Sequence, residues 1–187
     1  MKKFLTIVIS TIALSMPQFV MANTATASYI NMDLNGFSFS GFELGGSMEL
    51  AENIELNVKT YSIANTINGY DITLDETMIN VGYIRNINET FDAKFTLGSR
   101  NRGMTADWSG YSMALDNTVT VYGIQMHTKM NDKVNLNFGL LNSSDKGASM
   151  VTEFGADFQI ADNMMINFKA SSEDLIESMA LGLRFKF

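Results

Sequence analysis

Cysteine is absent from this chain of 187 residues, so neither a disulfide framework nor a thiolate metal site can exist. Its only proline, Pro17, lies near the start. Every later residue can therefore donate its N–H to a neighbouring strand, which suits continuous β-ladders. No stretch beyond Ala22 reaches even ~15 consecutive apolar residues, which excludes a helical membrane span. Basic residues are also scarce: 13 Lys and Arg stand against 20 Asp and Glu, for a net charge of −7. Such a balance argues against a nucleic-acid partner and offers no polybasic membrane anchor.

The first residues read as an export signal. Met1-Lys2-Lys3, the apolar run Phe4 to Leu14, Pro17 and the small-residue end Val20-Met21-Ala22 make a secretory signal peptide over residues 1–22, cut after Ala22. A spanning helix is the competing reading. Thr6, Ser10, Thr11 and Ser15 interrupt the run, which falls short of the ~20 apolar residues needed to span. The remainder, 23–187, is enough for one domain, and losing Lys2 and Lys3 takes its net charge from −7 to −9.

In that remainder, segments of about ten residues alternate in polarity and close on short polar turns. Four turns look alike: Ala51-Glu52-Asn53, Asn86-Ile87-Asn88-Glu89, Asn131-Asp132-Lys133 and Ala161-Asp162-Asn163. Each places Asn or Asp where a reversal needs positive φ or a side chain that bonds its own backbone. A new alternating run follows each one: Ile54, Leu56, Val58; Phe91, Ala93, Phe95, Leu97; Val134, Leu136, Phe138, Leu140; Met164, Ile166, Phe168. Period two means a strand with one apolar face. The last strand has the clearest pattern, with Met179, Leu181, Leu183, Phe185 and Phe187 against Ala180, Gly182, Arg184 and Lys186.

Four turns at one end, with both chain ends on that side, give ten strands in a closed antiparallel up-and-down all-β barrel. A count of eight follows if the first or ninth strand is misread. Residues 64–75, 100–116, 143–148 and 171–174 are expected as longer connections, the second carrying Trp108. Tyr29 to Leu34 is a strand ending at the turn Asn35-Gly36. The phase of Phe37, Phe39 and Phe42 predicts a bulge or loose loop at Ser40-Gly41.

The polar face carries Asp33, Glu43, Glu49, Glu55, Asp92, Glu153 and Asp157 with Lys59, Lys94, Lys169, Arg184 and Lys186. In a soluble barrel this face would be outside. Three features place it inside instead. Opposite charges recur on adjacent strands, as an interior of compensating pairs requires. Gly45, Gly82, Gly98, Gly123, Gly139, Gly155 and Gly182 share that face, where a narrow lumen leaves little room. The export signal and the terminal aromatic agree with lipid on the other face.

The final strand resembles the assembly signal of bacterial outer-membrane proteins, in which aromatics stand three and five positions after a glycine: Gly182, Phe185 and Phe187. Ala180 replaces the polar residue that opens the family pattern. The chain after Ala27 is similar to the small Gram-negative outer-membrane barrels, the OmpA-like and opacity-type group, in units such as Gly45-Gly46-Ser47 to Ala51-Glu52-Asn53. That resemblance implies contact with outer-membrane lipid and insertion by the barrel-assembly machinery through the C-terminal strand. It implies no particular activity.

No catalytic, cofactor or metal site is expected. A lipid A hydrolase would need Ser and a carboxylate beside His127, and no serine lies on its strand face within two residues. An omptin-like protease would need rim acids, for which Asp71, Asp75 and Glu76 are candidates, but His127 belongs to the other end. Scattered carboxylates with one histidine lack ligand spacing. The 14 methionines are spread over many strands and read as lipid-facing filler. Asp107-Trp108 is a candidate surface contact or rim anchor. The inward charges Glu43, Glu49, Glu55, Lys59, Asp92, Lys94, Glu153, Asp157, Lys169 and Arg184 either plug the lumen with salt bridges or line a narrow ion path. The plug is the preferred expectation, with a structural or surface-interaction role; a narrow porin is the alternative.

Overall fold

The computed structural model describes residues 24–144 and 149–187. The export signal expected over 1–22 lies outside them. Ten strands run antiparallel in chain order: β1 Thr24–Leu34, β2 Phe37–Ala51, β3 Ile54–Ile67, β4 Tyr70–Asn86, β5 Phe91–Trp108, β6 Tyr111–Asn131, β7 Val134–Ser143, β8 Val151–Ala161, β9 Met164–Glu173 and β10 Ile176–Lys186. Each pairs with its sequence neighbours, and β1 closes on β10 from Thr24↔Lys186 to Leu34↔Ile176. The result is one closed barrel of ten strands, not eight.

The start of β1, the end of β10 and the four Asn/Asp turns lie at one end, the terminal end. Three of these turns follow a register shift: Glu49/Ala51, Lys129/Asn131 and Gln159/Ala161. No such shift occurs at Ser40-Gly41, where a bulge was expected. β2 pairs there without interruption, and Gly41 serves close approach: a Cβ on it would fall 2.0 Å from the Ser62 carbonyl oxygen. The aromatic phase change has another cause. Phe39 points into the barrel and Phe42 points out.

At the opposite end, the hairpin end, the expected loops over 64–75 and 100–116 are strands with tight turns, while most of the one expected over 143–148 lies outside the described residues. β3–β4 turns on Asn68-Gly69 and β5–β6 on Ser109-Gly110, with φ positive at all four residues. Asn35-Gly36 reverses β1–β2 the same way. Paired positive φ is the twist-matched geometry of a two-residue hairpin, so the strands can continue to its very edge. Residues 171–174 likewise belong mostly to β9, which ends at Glu173 before Asp174-Leu175. β3 to β6 thus rise above their neighbours as a four-stranded flap, whose outermost pairs are Ile67↔Tyr70, Asp71↔Asp107 and Trp108↔Tyr111.

The outer surface changes character at one level on all ten strands. Tyr29, Phe42, Val58, Ile79, Leu97, Tyr122, Leu140, Phe154, Ala170 and Met179 are followed, towards the hairpin end, by Asn31, Ser40, Thr60, Thr77, Ser99, Thr120, Asn142, Thr152, Ser172 and Glu177. Cross-strand hydrogen bonds stitch part of this polar ring, with Thr60 to Thr77 at 3.1 Å and Asn101 to Thr118 at 2.8 Å. Below it the exterior is an apolar belt; Leu97, for instance, is 62% exposed. A tilted run of roughly eight residues at ~3.3 Å each spans about 19–20 Å, near the ~25 Å band of a transmembrane barrel.

At and above the level of the ring the interior changes too. Ile30, Met32, Phe39, Tyr61, Ile63 and Ala180 form a buried cluster inside the barrel, with Leu34, Ile67, Ile72, Leu74 and Ile176 packed against it. The outward phase here is polar, and the inward phase is largely apolar apart from Glu76, Arg100, Arg102 and Glu173, so Asp33, expected in the lumen, faces out. Its carboxylate accepts the Gly36 N–H at 2.8 Å and caps that turn.

Candidate functional site: the closed lumen

Alternation puts every second side chain inside, and those below the polar ring are mostly charged, amide, hydroxyl or glycine, with Met78, Val121, Leu141 and Met165 among them. Gly82 and Gly155 show why small residues share this face: a Cβ would lie 2.7 Å from Lys94 Cδ and 2.3 Å from Asn137 Oδ1 respectively. Near the terminal end Lys94 bonds Glu55 at 3.1 Å, His127 Nδ1 meets Asp92 at 2.9 Å, and Arg184 pairs with Asp157. Asn167 also donates to Asp157, at 2.6 Å. Around these groups lies a cavity of about 610 Å³ reaching the terminal-end rim at Asn88, Glu89 and Lys186. Its size and polar lining suit water.

The cavity is bounded by a first charged layer, where Lys169 bonds both oxygens of Glu43 and Lys59 stands 3.7 Å from Glu153 and 3.8 Å from Glu76. A second layer follows. Arg102 Nε donates to Glu76 at 2.6 Å and its Nη2 pairs with Glu173; Arg100 binds Glu173 with two nitrogens, at 2.9 and 3.3 Å. Tyr61 donates to Glu76 at 3.4 Å. One chain of alternating charge thus crosses the barrel from Arg100 through Glu173, Arg102, Glu76 and Lys59 to Glu153. Between the two layers only about 40 Å³ of space remains.

All ten charges expected in the lumen occupy the inward phase, with Glu49 near the rim opposite Glu55. Four of the six members of the crossing chain were not among those ten. Arg100 and Arg102 fell in a presumed loop, and their signal was the continuing period of Arg100, Arg102, Met104, Ala106 and Trp108. Glu76, expected as a rim acid, is 4% exposed inside the barrel. Glu173 sat in a presumed connection. Met32, Met78 and Met165 are also interior rather than lipid-facing. His127 has Asp92 as its partner and Gln125 beside it on the inward phase.

A closed sheet without free edges through the belt, apolar outside and charged inside, is a membrane architecture. The chain is a closed ten-stranded antiparallel β-barrel with an apolar exterior belt and a charged lumen. No family model matches it, and no curated protein matches it by sequence. Among solved structures it is similar to Ail, the attachment invasion locus protein of Yersinia pestis, at 12% identity and TM-score 0.46, over 89% of this chain and 97% of that one. It is similar to the KdgM porin at 8% identity and TM-score 0.49, over 87% and 99%. The N-terminal β-barrel domain of Pseudomonas aeruginosa OprF gives 11% and 0.47, over 89% and 99%. Likenesses this distant assign no role.

Proposed function

We propose that the chain is an integral outer-membrane barrel with a structural or surface-interaction role, without catalysis, and with a lumen closed to ions. The observation that carries this reading is the fall in free space from about 610 Å³ to about 40 Å³ at the two charged layers. In this orientation the terminal end faces the periplasm and the flap faces outward, the usual arrangement of short and long connections. The β10 strand, with Gly182, Phe185 and Phe187, is the segment offered to the assembly machinery, and the belt contacts lipid.

Planar-bilayer recording on the refolded chain tests the closure. The parent should show no steady conductance, and Arg102→Ala together with Glu173→Ala should open a measurable one. Steady single-channel steps from the parent, altered by neutralising Lys94 or Glu43, would defeat the plug and make the chain a narrow porin.

A further inference from the structure

Closure of the barrel removes every strand edge within the belt, but the flap restores one. Below Val121, β6 pairs with both β5 and β7; above it, among the described residues, β5 is its only strand partner, up to Trp108↔Tyr111. The direction of the free groups follows from the last contact on that side. Thr120 accepts the Ser144 N–H at 2.8 Å and donates its own N–H to Ser144 Oγ at 3.1 Å, so the Thr120 backbone faces the β7 side. With period two, Asp116, Ala114 and Ser112 present their N–H and C=O groups to the same open edge. Of the devices that blunt an edge strand, no lysine, proline or bulge occurs between Tyr111 and Asp116, and Asp116 is the one charged side chain there.

The two faces of this edge differ sharply. Tyr111, Met113 and Leu115 stand on the inner face and are 76%, 54% and 56% exposed. Tyr111 stacks on Trp108, which stacks on Tyr70, at centroid distances of 6.4 and 5.6 Å. The outer face is acidic. Asp71 lies directly across from Asp107, and two rows further down the same face Asp75 and Asp116 flank Gly103. Like charges directly opposite destabilise a sheet by themselves and are relieved by a cation. On this outer face of the flap no described residue is basic.

We infer that the β6 edge from Tyr111 to Asp116 takes up an extended cationic peptide as an added strand. Antiparallel addition pairs its residues with Ser112, Ala114 and Asp116 through mutual N–H and C=O bonds. Side chains of those residues then share the acidic outer face, so they are Lys or Arg. The intervening ones cover Tyr111, Met113 and Leu115, so they are apolar. The ligand is therefore a segment in which basic and apolar residues alternate. This assignment deepens the surface-interaction reading and needs the flap to lie outside the cell, but its binding chemistry is testable without a cell.

The probe is a labelled peptide of about ten residues alternating Lys and Val, titrated by fluorescence anisotropy against the refolded full chain in neutral detergent micelles. Ala114→Pro removes one edge N–H and places its ring where the added strand would lie. Pro is tolerated at a solvent-facing edge position, so the barrel should still show a heat-shifted gel band. Binding should fall at least ~tenfold in Ala114→Pro and persist in Ala114→Val. Asp116→Asn should weaken binding and flatten its salt dependence. N-methylation of the Lys residues should abolish binding while N-methylation of the Val residues spares it; this arm holds even if the proline variant fails to fold. Equal binding by both methylated peptides, or by a peptide of the same composition with Lys and Val in separate blocks, would mean unspecific attraction to an acidic surface and overturn the assignment. A folded barrel that binds none of the peptides also overturns it, leaving the closed-barrel reading to the conductance test.

Discussion

Glu173 is the residue on which the outer charged layer turns, and its neutralisation has a calculable cost. Its carboxylate takes two hydrogen bonds from Arg100 and one from Arg102, and the Arg100 and Glu173 side chains are only 9% and 10% exposed. Arg100 has no second carboxylate in bonding reach among the described ion pairs, whereas Arg102 keeps Glu76. Glu173→Gln therefore strands one buried guanidinium. Breaking a buried pair from one side costs about 3–5 kcal/mol. The lower end applies, because Arg102 is a third exposed and solvent screens its share. About 3 kcal/mol is roughly a hundredfold in the unfolding equilibrium. Adding Arg100→Met removes the stranded charge, and an apolar group of similar length should recover about 2 kcal/mol, since buried ion pairs are often no better than their hydrophobic replacements. Urea unfolding of both variants in lipid vesicles, followed by circular dichroism and by the heat-shifted gel band, gives the comparison. A double variant no more stable than Glu173→Gln would refute the stranded-charge argument, as would a single variant within ~0.5 kcal/mol of the parent.

The level of the membrane border can be mapped by arginine scanning: Phe95→Arg, within the belt, should cost about 2–4 kcal/mol in vesicles, and Thr120→Arg, on the polar ring, about 0–1 kcal/mol. Similar costs at both positions would erase the border. Among the inward glycines, Gly98→Ala should prevent folding, because its Cβ would fall 2.1 Å from the Ile79 carbonyl oxygen, while Gly139→Ala, with nothing nearer than 3.4 Å, should give the parent's gel shift. In the turn after β6, the hydrogen bond from Lys129 holds the Asp132 carboxyl below its usual range. Any stability from it is present above the ordinary carboxylate pKa and lost as pH falls through the lowered one. Since Asp132 is fully solvated, Asp132→Ala should leave the unfolding temperature unchanged at pH 7 and pH 3 alike, and a measurable difference would contradict that.

The fold was legible because period two survives in nearly every strand, and the four Asn/Asp turns mark one end of the barrel. What the alternation cannot state is which medium each face meets. Asp33 and Glu43 sit on strands of similar pattern, yet one caps an outward turn and the other is buried in the lumen. The difference is their height along the axis: Glu43 is below the polar ring and Asp33 above it. Height also explains the misread segments. Arg100 to Trp108 lacks large apolar residues on its outward phase because that phase has left the belt, and so it reads as a loop although its backbone remains a strand. The ion-pair partners were unreadable for another reason. Lys169 and Glu43 stand 126 positions apart, and only the stagger of a closed barrel brings them together.

The inversion of both faces at the polar ring ties the lumen to the flap. Below it, lipid outside leaves the charges no place but the interior, where they must pair or be stranded. Above it, water receives the charges of the outer face, and apart from the layer of Glu76, Arg100, Arg102 and Glu173 the inward phase turns largely apolar and builds the cluster of Ile30, Phe39, Tyr61 and Ile63. That arrangement is complete only where all ten strands reach. β6 rises past its β7 neighbour, so Met113 and Leu115 carry the inward apolar pattern beyond the strands that would enclose it, and the same overhang leaves the edge at Ala114 without a strand partner among the described residues. An apolar face and an open ladder at one place are therefore a single consequence of unequal strand length, and an added strand with alternating side chains satisfies both at once.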